Sequence, residues 1–123
     1  AMHSIGRLVE KNDVEAVSWF SKAADKGSGD AHLALAVLMQ QEAGGLQRDI
    51  KQIVHHLETA SSKEVAGAMG LLGGMLMAGE EGVKRNDDRA AVLLQMALKG
   101  GDVTAGYNLG VLYAEGRGGL KKS

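Results

Sequence analysis

The residues of this 123-residue chain that could do chemistry are few: four histidines, some adjacent carboxylates and a Ser-Ser-Lys triplet. His55 and His56 are neighbours. Adjacent side chains on a helix project about 100° apart, so the two cannot ligate one metal; helical zinc sites pair residues at i and i+4. His32 has no histidine at that spacing. Glu80-Glu81 lies between glycines and reads as a solvated loop tip. Asp87-Asp88 falls where a helix should start, and negative charge there complements the helix dipole. Without cysteine the chain has no thiolate nucleophile, no Cys-ligated zinc and no disulfide framework. Gly70, Gly73 and Gly74 are no phosphate loop, because they sit inside a helical pattern and no Gly-Lys-Ser/Thr follows. The residues point to no catalytic group, no metal and no cofactor.

What remains is architecture. Apolar residues make up 45% of the chain but aromatics only 3%, so a core must be built from Ala, Leu, Val, Ile and Met. Ala, Leu and Met are strong helix formers, and proline is absent. Fourteen basic against fifteen acidic residues give a net charge of −1, with no concentrated basic face for nucleic acid or an anionic membrane. No apolar run approaches the ~18 residues that a spanning helix needs. The N-terminus lacks a signal peptide's apolar stretch, and Ala1-Met2-His3 is read as an expression remnant outside the fold.

Eighteen glycines sit oddly in a helical protein until their positions are compared. The chain matches itself at an offset of 37 residues without a gap. Leu35, Leu72 and Leu109 recur at that interval, as do Ala31, Ala68 and Ala105, and Phe20, Leu57 and Leu94. Val9, Leu46, Val83 and Leu120 are four copies of one loop position. A period in this range signals a solenoid. Each unit reads as two helices. One runs over about 30–42, 67–79 and 104–115, with a buried stripe of the Ala31, Leu35, Leu38 type. The other runs over about 12–26, 49–61 and 86–99, with stripes Ala16, Phe20, Ala23, then Ile53, Leu57, Ala60, then Ala90, Leu94, Ala97. Asn12, Asp49 and Asn86 precede the second helix as N-caps. Gly27 and Gly100-Gly101 follow it, where a left-handed residue is wanted. The expected fold is an all-α, right-handed solenoid of stacked antiparallel helix pairs, about six helices in all. The register divides it into a partial unit 4–29, units 30–66 and 67–103, and a partial unit 104–123, a segment expected to come from a longer protein.

At this point the residues resemble the Sel1-like repeat family, a relative of the tetratricopeptide repeats. Ala105-Gly106-Tyr107-Asn108-Leu109-Gly110-Val111-Leu112-Tyr113-Ala114-Glu115-Gly116-Arg117-Gly118 is similar to its A-x-x-N-L-G-x-L-Y-x-x-G-x-G helix. Ala16 to Gly27 is similar to its A-x-x-W-Y-x-K-A-A-x-x-G helix. The middle unit departs from both: His56-Leu57 replaces the aromatic pair, Thr59-Ala60-Ser61 replaces K-A-A, and Ser62-Lys63-Glu64-Val65 lacks the closing glycine. The loop Gly79-Glu80-Glu81-Gly82-Val83 is one residue longer than the family's.

The resemblance implies a protein-binding scaffold whose first helices line a concave face. On that face it places Leu33, Val37, Gln40 and Gln41, then Gly70, Gly74 and Met77, then Tyr107, Asn108, Val111 and Glu115. Such a surface suits an extended segment or an amphipathic helix of a protein partner. Gly73 matches the family's close-packing glycine, with Ala36 and Gly110 as its equivalents. Gly70 and Gly74 have Leu33, Tyr107, Val37 and Val111 as equivalents, so they read either as a bare patch that lets a ligand approach the backbone or as drift on an exposed face. The family position of Trp19 implies packing over an exposed anchor. Two other functions compete. Apolar end faces would let the segment act as a spacer or self-associate. A hydrolase is the third, since some cysteine-rich members are linked to β-lactams; here there is no cysteine or Ser-x-x-Lys motif, and Ser61-Ser62-Lys63 is a loose echo.

Overall fold

A computed structural model describes the backbone of residues 2–80 and 82–117, with side chains from Asn12 onward within those limits. It contains six helices: α1 (Met2–Asp25), α2 (Gly29–Gln40), α3 (Ile50–Ser62), α4 (Ala66–Ala78), α5 (Asp87–Lys99) and α6 (Val103–Glu115). Each packs on its neighbour in sequence, and α4 also packs on α6. Two layers result. In one, Leu33 of α2 approaches Gly67 of α4, and Gly70 of α4 approaches Ala105 of α6. In the other, Glu58 of α3 pairs with Arg89 of α5.

The capping chemistry explains the boundaries. The Asp49 carboxylate accepts from the amides of Lys51 and Gln52, and the Asn86 side chain accepts from Arg89 N, as expected. Ser28 and Asp102 cap α2 and α6 in the same way. Gly79 and Gly116 end α4 and α6 with φ of 66°, a left-handed conformation that glycine takes without cost.

The N-terminus differs from expectation. Helix α1 begins at Met2, so Asn12 is an interior residue rather than a cap, and Val9 lies in a helix rather than a loop. The reason is punctuation. Positions 5, 7 and 8 correspond to the glycines that break the later units at 79, 44 and 45, yet they carry Ile5, Arg7 and Leu8. The one glycine there, Gly6, falls at the register position of Ala43 and Glu80 rather than at those break points, and the helix runs on. Leu120 lies outside the described residues.

The predicted stripes become the core in the second and third units. Ile53, Leu57, Leu72, Leu94 and Leu112 are its largest fully buried side chains. Burying each such side chain contributes about 1.5–3 kcal/mol. Around α1 and α2, Ala16, Phe20, Ala23 and Leu38 are only half-buried, and Ala24, Ala31 and Leu35 form a small separate cluster.

Candidate functional site

The layer of α2, α4 and α6 carries a groove of about 500 Å³. Leu33, Val37 and Gln40 form its α2 wall. Its floor is α4, through Gly67, Gly70, Leu71, Gly74 and Met75. The N-cap Asp102 and the N-terminal half of α6, through Thr104, Ala105 and Asn108, line the other side, together with Glu80. The walls are mostly apolar, with the Gln40 and Asn108 amides as neutral donors and acceptors.

Six of the eleven residues placed on this face by sequence meet here: Leu33, Val37, Gln40, Gly70, Gly74 and Asn108. The other five lie elsewhere. Gln41 is the exposed C-cap of α2. Met77 packs against the core, and its carbonyl accepts from Arg117 Nη2 at 2.6 Å. Tyr107 is 75% exposed and Val111 half-buried, both outside the groove lining. Glu115 is exposed and pairs with Arg117 at 2.6 Å. The reason is helical geometry. Tyr107 and Val111 are the repeat equivalents of Leu33 and Val37, which use the edge of α2 facing α4. The groove instead meets the opposite edge of α6, through positions that correspond to Val65, Gly67, Ala68 and Leu71. Of those edge residues, the sequence reading places Asn108 on the face and Ala105 in the buried stripe, but singles out neither Asp102 nor Thr104. Their signal is the 37-residue register read from one helix edge to the facing edge of the next.

Gly70 has a packing reason that sequence did not supply. It is buried, and a Cβ built on it would lie 1.9 Å from Asp102 Oδ2. The carboxylate therefore rests directly over the glycine backbone. Gly74 is half-buried, with Asn108 Nδ2 at 3.4 Å from its would-be Cβ. Gly73 is the close-packing glycine: its Cβ would meet Leu94 Cγ at 2.9 Å.

Two side-chain clusters stand outside the groove. His32 and His56 meet across α2 and α3, their Nδ1 atoms 2.8 Å apart. For this contact to be a hydrogen bond, one ring must offer the N–H and the other the lone pair. Burial, then the charges of His32 and His55, hold the His56 imidazole below its ordinary pKa. No local spacing could reveal this pair, since its partners are 24 residues apart. The described residues contain no group of three metal-ligating side chains.

The second cluster corrects the reading of Asp87. It does more than face the helix dipole. Arg117 donates to its carboxylate from Nη2 at 2.8 Å and Nε at 3.0 Å, and Arg85 Nη2 adds a contact at 2.9 Å. Hydrogen bonds from Arg117 and then Arg85 hold the Asp87 carboxyl well below the usual carboxylate range. The clamp pins the segment after α6 to the start of α5 and the end of α4. Glu81 of the expected loop tip lies outside the described residues; Glu80 pairs with Arg48 at 3.4 Å. Trp19, expected to pack, is 67% exposed, with the Lys22 ammonium 4.6 Å from its ring centre.

Six helices, packed successively in two layers, define an all-α solenoid. A family model of the Sel1 repeat matches residues 1–28, 66–102 and 104–123, and the chain belongs to the Sel1 repeat family. An uncharacterized protein of Neisseria meningitidis serogroup B is 30% identical over 113 residues, covering 89% of this chain and 24% of that protein. Among solved structures, a Sel1 repeat protein from Oxalobacter formigenes superimposes with a TM-score of 0.82 at 27% identity, over 99% of this chain and 51% of that one. A protective antigen of uropathogenic Escherichia coli, described as displaying an SLR fold, gives a TM-score of 0.80 at 27% identity, over 89% of this chain and 23% of that one. The chain thus spans about a quarter of the curated relative's length. Proteins of this family are in general protein-interaction scaffolds.

Proposed function

We propose that the chain binds a segment of a protein partner in the groove between α2, α4 and α6. The observation that carries this reading is convergence: six residues placed on one face by sequence line one apolar depression with two amides at hand. Its volume lies in the range of small-molecule and side-chain pockets. Substituting Gly74→Leu fills the floor, and Val37→Asp charges the wall. Both should abolish capture of a purified partner while circular dichroism stays helical, whereas Tyr107→Ala, outside the groove, should leave it intact. Equal capture by all three variants removes the groove from the account.

A second reading is a self-assembly module that uses an end face. It is favoured by a shallow apolar depression of about 320 Å³ on α5 and α6, lined by Met96, Leu98 and Leu109. Sedimentation velocity at several concentrations separates the two, because association through that face depends on concentration and is suppressed by Met96→Glu.

A further inference from the structure

We propose that the groove ligand is an extended peptide in which apolar side chains accompany a lysine or arginine, and that the Asp102 carboxylate binds this cation. The inference rests on the groove reading above and adds the chemistry of the occupant.

The first observation is a paired exchange between repeats. At the α2–α4 step, the two equivalent positions are Leu33 and Val65, both packed against the core. At the α4–α6 step they are Gly70 and Asp102. Two apolar residues are replaced by a glycine and a carboxylate, and the glycine leaves the space that the carboxylate fills. Any side chain at 70 would displace it.

The second observation is what Asp102 does with its two oxygens. Oδ1 accepts from Thr104 N at 3.2 Å and caps α6. Oδ2 lies over Gly70 in the groove lining and accepts no hydrogen bond among the described residues. A cap needs one oxygen, as Ser28 shows at the equivalent position before α2. The second oxygen is the surplus.

The third observation is the charge along the groove. Its two charged lining residues are both acidic, and one of them, Glu80, is tied to Arg48. Past Leu33 and Gly67 the depression continues into a second one, where Asp30 and Glu64 outnumber Lys63. Acid in excess selects a cationic partner and disfavours a ligand presenting a phosphate or a terminal carboxylate. The Gln40 and Asn108 amides add donors and acceptors suited to a main chain with unpaired groups. An extended peptide has these; an α-helix has already satisfied its own.

The experiment uses three labelled, end-blocked hexapeptides of alternating Leu-Lys, Leu-Gln and Leu-Glu, with fluorescence anisotropy as the readout. The Leu-Lys peptide should bind best and weaken with added salt. Asp102→Asn keeps an N-cap and so the fold. It should weaken the Leu-Lys peptide about tenfold, the scale of one charge-assisted hydrogen bond, and leave the Leu-Gln peptide within about twofold. Asp88→Asn, on the exposed start of α5, should change neither. If it weakens binding as much as Asp102→Asn, the attraction is general and the inference falls. If Leu-Lys and Leu-Gln bind alike and only Gly74→Leu abolishes both, the groove stands and the cation site falls. If Gly74→Leu changes nothing, or no peptide binds, the groove reading itself falls.

Discussion

At the scale of single residues, backbone conformation shows where the middle of the array departs from its own repeat. Glu64 has φ of 61° and Glu42 has φ of 53°. Their equivalents one repeat on are Gly101 at 101° and Gly79 at 66°. Both glutamates hold a left-handed conformation that costs an L-residue about 1–2 kcal/mol, part of which glycine gives back through a freer unfolded chain. Glu64→Gly should therefore raise stability in urea by about 0.5–1 kcal/mol, and Glu42→Gly similarly; a loss in both would mean that the glutamate side chains stabilise the fold. A second contrast uses equivalent positions of opposite surroundings. Gly73→Ala drives a Cβ to 2.9 Å from Leu94 Cγ, whereas Gly110 has nothing within 4 Å among the described residues. The first should destabilise by about 1–3 kcal/mol through overpacking. The second should stabilise by up to about 1 kcal/mol through helix propensity, measured in the same urea titration. The family resemblance marks Gly73 as a close-packing glycine, and the contact with Leu94 belongs to this unit, since Gly110 at the same register position meets nothing within 4 Å among the described residues. Sequence did not account for Gly70, because the Asp102 carboxylate above it arrives from another helix 32 residues along, and no local spacing encodes that contact.

At the scale of elements, five of the six helices are legible to within a residue or two, because the 37-residue register and the buried stripes agree in each, even where α3 ends at Lys63 without a glycine and α4 starts at Val65 without a side-chain cap. The sixth, α1, was too short by its first ten residues, because the register promised a loop that Ile5, Arg7 and Leu8 do not make. The joint between α2 and α3 carries the clearest pH dependence. Charged, donor and acceptor groups around it are His32 on α2, His55 and Gln52 on α3, and Asp25 and Ser21 on α1. His56 has a folded pKa below its ordinary value of 6.5. Above 6.5 both states are neutral and the fold keeps its full stability. As pH falls through 6.5 towards the folded pKa, the unfolded chain binds the proton first, so stability is lost over that window. Leu93 occupies the same position one repeat on and is buried. His56→Leu should flatten the dependence of the urea midpoint between pH 7 and 5 and raise stability at the acid end. An unchanged slope would assign the acid loss to other groups. Asp87 acts in a lower window: its depressed carboxyl supports the clamp with Arg117 above the ordinary carboxylate range and loses that support as pH falls below about 4. The two effects are therefore separable in one pH series.

At the scale of the whole molecule, stability should be graded along the array. Helices touch chiefly their neighbours, so each one's protection depends on the helices beside it. Seven of the thirteen residues of α4 are buried, and they join α3, α5 and α6 in the main core. Among the described residues, the junction of α1 and α2 has Ala24, Ala31 and Leu35 as a cluster of its own, with Val17, Phe20 and Ala23 partly buried against it. Hydrogen exchange should accordingly release the amides of α1 first, through local opening, and those of α4 and α5 last, near the limit of global unfolding. A core truncation sharpens the expectation. Leu94 is fully buried on α5 and reaches the floor of α4 beneath Gly73. Leu94→Ala should cost about 2–5 kcal/mol. That loss should speed exchange in α4, α5 and α6 while leaving α1 and the start of α2 nearly unchanged, since their opening is already local. Acceleration spread evenly over all six helices would show instead that the chain unfolds as one cooperative unit. The groove would then share the stability of the whole array, because its α2 wall and its α6 edge would open together with α4 rather than at their own rates.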